Sequence, residues 1–328
     1  MKIAVDAMGG DYAPEVVIDG ALDAVKEYGV EVVLVGDETR INGFLRKKHV
    51  SAGISVQHAS EVIGMSEPAA TSVRKKRDSS ISVGIALVKQ GKAGAFVSAG
   101  NTGAVVCAGT LGLGLISGIE RPGIGIVMPS LKDFTMLIDV GANINPKSTQ
   151  LFQYGIMADS YVRCILNKDN PSVGLLNVGE EESKGTDVIK EARDLFQKSH
   201  LNFIGNVEGK DIFSGKTDII VCDGFVGNVA LKVSESLAEA VQEFLKRHLL
   251  KNPLGIFGLL LLKGSLRNFK KKVDYSEYGG APLLGVNGVV IIGHGRSNAY
   301  AIKNAIRVAK KEVEYRFTDK ILEAIKKS

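Results

Sequence analysis

Residues 95–103 read AFVSAGNTG. An apolar run, Ala95–Ser98, is cut short by a glycine-containing turn, and an apolar helical stretch follows. Strand, tight loop and helix opening form the repeating joint of an α/β protein. The same rhythm extends in both directions. Ile3–Val5, Val32–Gly36, Ile54–His58, Gly125–Met128, Met136–Val140, Gly174–Val178, Asn202–Ile204, Ile219–Cys222 and Val289–Ile292 read as further strands. Most are apolar throughout and do not alternate, as expected of strands covered by helices on both faces. The pattern predicts a three-layer α/β/α fold with a largely parallel sheet.

Helical stretches separate the strands. Pro14 suits the first turn of a helix reaching Tyr28. Ser148–Leu166, Gly185–Ser199 and Val226–Leu250 follow, and a long last helix is predicted over Ser297–Lys327. Residues 226–278 break the rhythm with two successive helical stretches around Asn252-Pro253, which predicts a helical protrusion. No Pro/Ser linker and no internal repeat divides the chain, so residues 1–328 read as one catalytic unit or two lobes of one.

Composition narrows the function. The 38 glycines exceed the ~7% usual share and border apolar runs, which points to many tight turns that bring backbone N–H groups close to anions. A net charge of +5 fits an anionic substrate, an acidic protein partner or an anionic lipid surface. No nucleic-acid motif is present, and the absence of Trp argues against base stacking. Cys107, Cys164 and Cys222 lie in apolar stretches without a C-x-x-C pair and read as buried free thiols of a reducing cytosol. The opening MKIAVDAMGGD is not patterned as a signal peptide, and no run reaches the ~18 apolar residues of a membrane span.

Several loops carry candidate chemistry. Ser98, Gly100, Asn101 and Thr102 read as an anion cradle or as a capped turn. Asp223 and Asn228 repeat the arrangement after the strand ending at Cys222. Asn143 follows another strand. Lys184 stands just before a predicted helix and offers positive charge there. Arg74 belongs to the basic run Arg74–Arg77, ahead of a serine-capped helix. His294 and Ser297 sit where the last strand opens into the last helix, and His294 suits a general acid/base or an oxyanion donor. No P-loop, G-x-S-x-G elbow, zincin motif or G-x-G-x-x-G helix opening occurs.

The ordered set DAMGGD (Asp6–Asp11), SAGNTGA (Ser98–Ala104), DVGAN (Asp139–Asn143), Leu176–Gly179 with Lys184-Gly185, GNVEG (Gly205–Gly209), DGFVGN (Asp223–Asn228), YGGAPLLG (Tyr278–Gly285) and His294-Gly295 with Ser297 spans the chain. It resembles the acyl-acyl-carrier-protein–phosphate acyltransferases of bacterial phospholipid synthesis. The resemblance implies reversible transfer of a long-chain acyl group from acyl carrier protein to inorganic phosphate. The lack of a metal-ligand cluster and of a nucleotide fingerprint predicts that neither metal nor nucleotide cofactor is needed. The resemblance also implies a fold like phosphate acetyltransferases and isocitrate dehydrogenases, a homodimer, and a membrane glycerol-3-phosphate acyltransferase that consumes the acyl phosphate. It brings Asp6, Gly9, Gly10, Asp11 and Asn143 forward as substrate-binding candidates. Phosphate holding is expected of Ser98, Gly100, Asn101 and Thr102, with Arg74 or Lys184 as counter-charge. His294, Ser297 or Asn228 is expected at the oxyanion or leaving thiolate, oriented by Asp223. Rival readings are a coenzyme A-dependent phosphate acetyl- or butyryltransferase, a metal-dependent decarboxylating dehydrogenase and a non-catalytic membrane scaffold.

Leu254–Leu262 reads LGIFGLLLL and is too short to span a bilayer. Ile256, Phe257, Leu259 and Leu260 form an apolar tip, followed by Lys263 and Arg267. Such a tip with a basic flank suits peripheral contact of a cytoplasmic protein with an anionic membrane, or a buried dimer interface.

Overall fold

The computed structural model describes residues 1–48, 52–250 and 279–327, together with Gly264 and Glu277. The predicted apolar tip, Lys263, Arg267 and the second helical stretch of the protrusion lie outside the described residues.

Eleven strands form one sheet in the order β3-β2-β1-β4-β11-β10-β5-β6-β9-β7-β8. They are β1 (Lys2–Asp6), β2 (Glu31–Gly36), β3 (Ile54–His58), β4 (Ala95–Ser98), β5 (Gly123–Pro129), β6 (Phe134–Ile138), β7 (Ser172–Leu176), β8 (Asn202–Val207), β9 (Ile219–Val221), β10 (Ala281–Leu284) and β11 (Val289–Ile292). The helices are α1 (Glu15–Tyr28), α2 (Glu38–Lys47), α3 (Ala69–Lys75), α4 (Ser80–Lys89), α5 (Thr102–Leu113), α6 (Ser148–Cys164), α7 (Asp187–Gln197), α8 (Gly224–Leu250), α9 (Ala299–Glu314) and α10 (Phe317–Lys327). The central strands β1, β4 and β11 are almost wholly buried, which explains their unbroken apolar runs.

The sheet is parallel within each half: β3-β2-β1-β4-β11 on one side and β6-β9-β7-β8 on the other. Three antiparallel pairings join them, β11 to β10, β10 to β5 and β5 to β6. Three reversals leave the two halves running in opposite directions. Strand β10 was not among the predicted strands; its APLL is short and begins beside two glycines. One buried cluster nevertheless crosses the junction, from Ala4 and Phe96 through Ile124 and Leu283 to Leu137 and Ile220.

Three expectations need correction. The predicted single last helix is two, because Arg316 adopts a left-handed φ of 51° between α9 and α10. Strand β7 stops at Leu176, and Val178 is exposed. Of the three thiols only Cys222 is buried; Cys107 and Cys164 are partly exposed.

Candidate active site

Two buried aspartates, one in each half, organise the loops. In the first half Asp6 ends β1. It accepts the Met8 N–H at 3.1 Å and the Ser98 hydroxyl at 2.7 Å, and that hydroxyl accepts the Gly100 N–H at 3.0 Å. Burial pushes the Asp6 carboxyl above its ordinary value, against the hydrogen bonds from Ser80, Ser98, Met8 and Gly9. A Cβ at Gly9 would strike Asp6 and lie 2.7 Å from the Gly100 nitrogen, so only glycine admits this approach. The loop after β11 joins the cluster: Asp11 N–H donates to the Gly295 carbonyl at 2.8 Å, and Gly293 N–H to the Ser98 carbonyl at 2.8 Å. Three neighbouring strand ends are thereby laced together.

In the second half Asp139 follows β6 and is wholly buried. Its carboxylate accepts N–H groups from Ile124, Gly141, Ala142 and Asn143 at 2.7–3.1 Å. Burial raises this carboxyl, and the four N–H groups oppose the rise. The first turn of α8 presses on it: a Cβ at Gly224 would lie 2.7 Å from Asp139 Oδ2, and one at Gly227 would strike the Asp139 carbonyl. The Asn143 amide donates to Gln150 and Tyr154.

Between the two clusters lies a cleft of about 390 Å³. At ~3.3 Å per residue, the four-residue β10 separates the opposed strand ends by only about 13 Å, so loops from both halves reach one space. Ile124, Ile126, Ala281 and Ile292 form its apolar floor. Thr102 and Gly103 enter from α5, His294 and Gly295 from the loop after β11, and Gly141 from the loop after β6. Asn228, Leu231, Lys232 and Glu235, spaced along one face of α8, close the far side.

The candidate residues are only partly assembled here. Thr102, Asn228 and His294 line the cleft. Asn101 caps α5 by accepting the Ala104 N–H at 3.0 Å, and its Nδ2 donates to the carbonyls of Gly64, Met65 and Glu67 at 3.0–3.2 Å. Its amide is consumed in holding the 64–67 loop, and the Ser98 hydroxyl is consumed by Asp6. What remains for an anion are the first-turn N–H groups of Thr102 and Gly103, which donate to no protein acceptor among the described residues. Gly9, Gly10, Gly100 and Asp6 support this loop from behind. Asn143 supports the other cluster. Ser297 is buried, and its N–H donates to the His294 carbonyl at 2.9 Å, closing the loop that carries the imidazole.

Asp223 caps α8 by accepting the Phe225 and Val226 N–H groups at 2.8–2.9 Å. It borders a different space, an apolar groove of about 780 Å³ that includes Ile144, Val178, Phe225 and Val229. Lys184 is exposed in the turn before α7, beside that groove, and does not line the cleft. Arg74 faces a third depression between α3, α4 and α5. The cation that does line the cleft is Lys232, with Glu235 nearby. Both lie one turn or more beyond the Asp223–Asn228 motif, at helical spacing from Asn228; that spacing is the signal that could have found them.

His294 has a defined orientation. Its Nδ1 accepts the Arg296 N–H at 3.2 Å, so the neutral ring carries its proton on Nε2. That nitrogen lies 3.8 Å from a Glu235 carboxylate oxygen, and Arg296 lies 3.8 Å from Glu239. The last loop and α8 therefore face each other across the cleft through an imidazole–carboxylate contact and an Arg296–Glu239 ion pair. Cys222 is not a nucleophile in this setting: its thiol is pushed well up by burial and points at the Asp139 carbonyl. Among the described residues no group of three His, Cys, Asp or Glu side chains has metal-holding geometry.

The fold is shared with solved phosphotransacetylases. The chain superposes on the phosphotransacetylase of Streptococcus pyogenes with a TM-score of 0.66 over 96% of this chain and 94% of that one, at 17% identity. It does so on the EutD phosphotransacetylase of Staphylococcus aureus with a TM-score of 0.63 over 95% and 94%, at 16% identity. Residues 1–320 match the family described as fatty acid synthesis protein, and the chain belongs to that family. It is 51% identical to the phosphate acyltransferase of Geotalea uraniireducens, over 98% of this chain and 95% of that protein. Its identity to the phosphate acyltransferase of Thermodesulfovibrio yellowstonii is 49%, over 99% and 94%. The chain is an enzyme of the acyltransferase class.

Proposed function

We propose that the enzyme transfers a long-chain acyl group from acyl carrier protein to inorganic phosphate, in phospholipid synthesis. The observation that carries this reading is the first turn of α5. Its unpaired Thr102 and Gly103 N–H groups open into an apolar-floored cleft opposite a histidine with its proton on Nε2. Hydrogen phosphate held there is a nucleophile that needs no covalent help once positioned. Its oxygen bonds to the thioester carbonyl carbon, the carbon–sulfur bond breaks, and the proton of hydrogen phosphate ends on the sulfur. His294 Nε2–H stabilises the developing oxyanion or relays that proton, and Lys232 offsets the charge of phosphate. The product is an acyl phosphate and a free thiol.

The test is direct. Purified protein with palmitoyl carrier protein and phosphate should form palmitoyl phosphate, and palmitoyl-CoA should be the poorer donor. Thr102→Pro, which removes one of the two N–H groups at the first helical position where proline is tolerated, should raise the phosphate KM about tenfold with the acyl-donor KM unchanged. Absence of acyl phosphate, or an unaltered phosphate KM, overturns the assignment.

A homodimer belongs to the same proposal. Val229, Val233, Leu237, Val241 and Phe244 leave one stripe of α8 exposed and apolar. Burying each such side chain contributes ~1.5–3 kcal/mol. Leu237→Glu is expected to convert a dimer into a monomer, read by light scattering; a wild-type monomer would end this proposal. Release of the product at an anionic membrane surface, to a glycerol-3-phosphate acyltransferase, completes the reading. The described residues contain no helix long and apolar enough to cross a membrane.

A further inference from the structure

The basic run before α4 is split by the fold. Lys76 turns back to Glu67 at 2.6 Å. Arg74 and Arg77 face the other way and, with Lys89, rim a groove of about 480 Å³. Its floor is apolar, with Val73, Ile85 and Leu111, and Leu111 is 60% exposed. No acidic residue lines the groove, and none of its three cations forms an ion pair among the described residues. Three unpaired cations around an exposed leucine form a surface that lacks its counterpart.

The location of the groove matters as much as its charge. One wall is α5, whose first turn opens into the cleft and whose Ala108, Leu111 and Gly112 border the groove. At ~1.5 Å per residue, the nine steps from Thr102 to Leu111 put the groove roughly 13 Å from the anion-binding turn. A flexible thioester arm can span that distance along the helix.

We propose that this groove is the docking face for the acyl carrier protein, an acidic protein that presents its acyl thioester on a flexible arm. The proposal rests on the carrier-protein reading given above. Carboxylates on one of the carrier's helices meet Arg74, Arg77 and Lys89, and an apolar side chain between them covers Leu111. The rim cations steer the encounter, and the apolar centre holds it.

The experiment compares two donors, palmitoyl carrier protein and the small thioester palmitoyl pantetheine, on wild type, the double variant Arg77→Glu/Lys89→Glu, and Leu111→Glu. Both variants should raise the KM for the carrier protein about tenfold or more, with kcat and the pantetheine kinetics unchanged. Salt should raise the carrier KM of wild type and leave that of the double variant nearly constant. Unchanged carrier KM values in both variants would overturn the docking face while leaving the donor reading intact. Equal loss with both donors would also overturn it, since the residues would then serve the fold or the chemistry. A wild type that uses only the small thioester would remove the donor reading and the docking face together.

Discussion

Replacing Asp139 by alanine is expected to lower stability by about 3–5 kcal/mol. The carboxylate is fully buried and accepts four backbone N–H groups, from Ile124, Gly141, Ala142 and Asn143. A typical hydrogen bond contributes only ~0.5–1.5 kcal/mol net, but each buried donor left without an acceptor costs ~1–3 kcal/mol. Alanine strands all four at once. The loop they form also seats the first turn of α8, through Gly224 and Gly227, and α8 carries Asn228, Lys232 and Glu235 to the cleft. Activity should therefore fall with stability. Asp139→Asn should recover only part of the loss, because one carboxylate oxygen becomes an NH2 group facing N–H donors. Urea unfolding measures the effect, and an unchanged midpoint for Asp139→Ala would show that water or rearranged backbone satisfies the loop.

His294→Ala is expected to lower kcat about 100- to 1000-fold with little change in stability, the scale of a lost proton donor or oxyanion donor. The ring is exposed at the cleft, so its removal leaves no cavity. Its orientation is set by the Arg296 N–H on Nδ1, which puts the neutral ring's proton on Nε2, 3.8 Å from Glu235 across the cleft. His294→Gln, which retains a donor at similar reach, should recover part of kcat. Phosphate KM should move little in either variant, because phosphate is assigned to the first turn of α5. Near-normal turnover by the alanine variant would reduce His294 to a loop residue.

The glycine-rich loops were legible in the sequence because their requirements are local. A strand that ends in glycine before a helix must expose backbone N–H groups at the turn, and these loops do stand at strand ends around the cleft. Which donors remain available was not legible. Ser98 and Asn101 read as phosphate ligands, yet partners at Asp6 and at residues 64–67 consume both side chains. Those partners lie 92 and 34–37 residues away, beyond any local pattern. Where the cations come to lie was not legible for the same reason. Arg74 and Lys184 stand beside helix termini in the sequence, but Arg74 lines another groove and Lys184 lies exposed in a turn, while Lys232 reaches the cleft from within α8.

The sequence by itself determined the layered α/β architecture. Burial on both faces demands unbroken apolar strands, and helix periodicity is written in neighbouring residues. It determined the family as well, through motifs spread over the whole chain. Only the tertiary structure decided that the two halves of the sheet run in opposite directions and meet across a four-residue strand. Strand direction depends on which edges pair, and pairing is a contest among distant segments that no local pattern records. That pairing brings the strand ends of both halves to one cleft, and the hydrogen bonds made on the way decide which backbone N–H groups stay open to it.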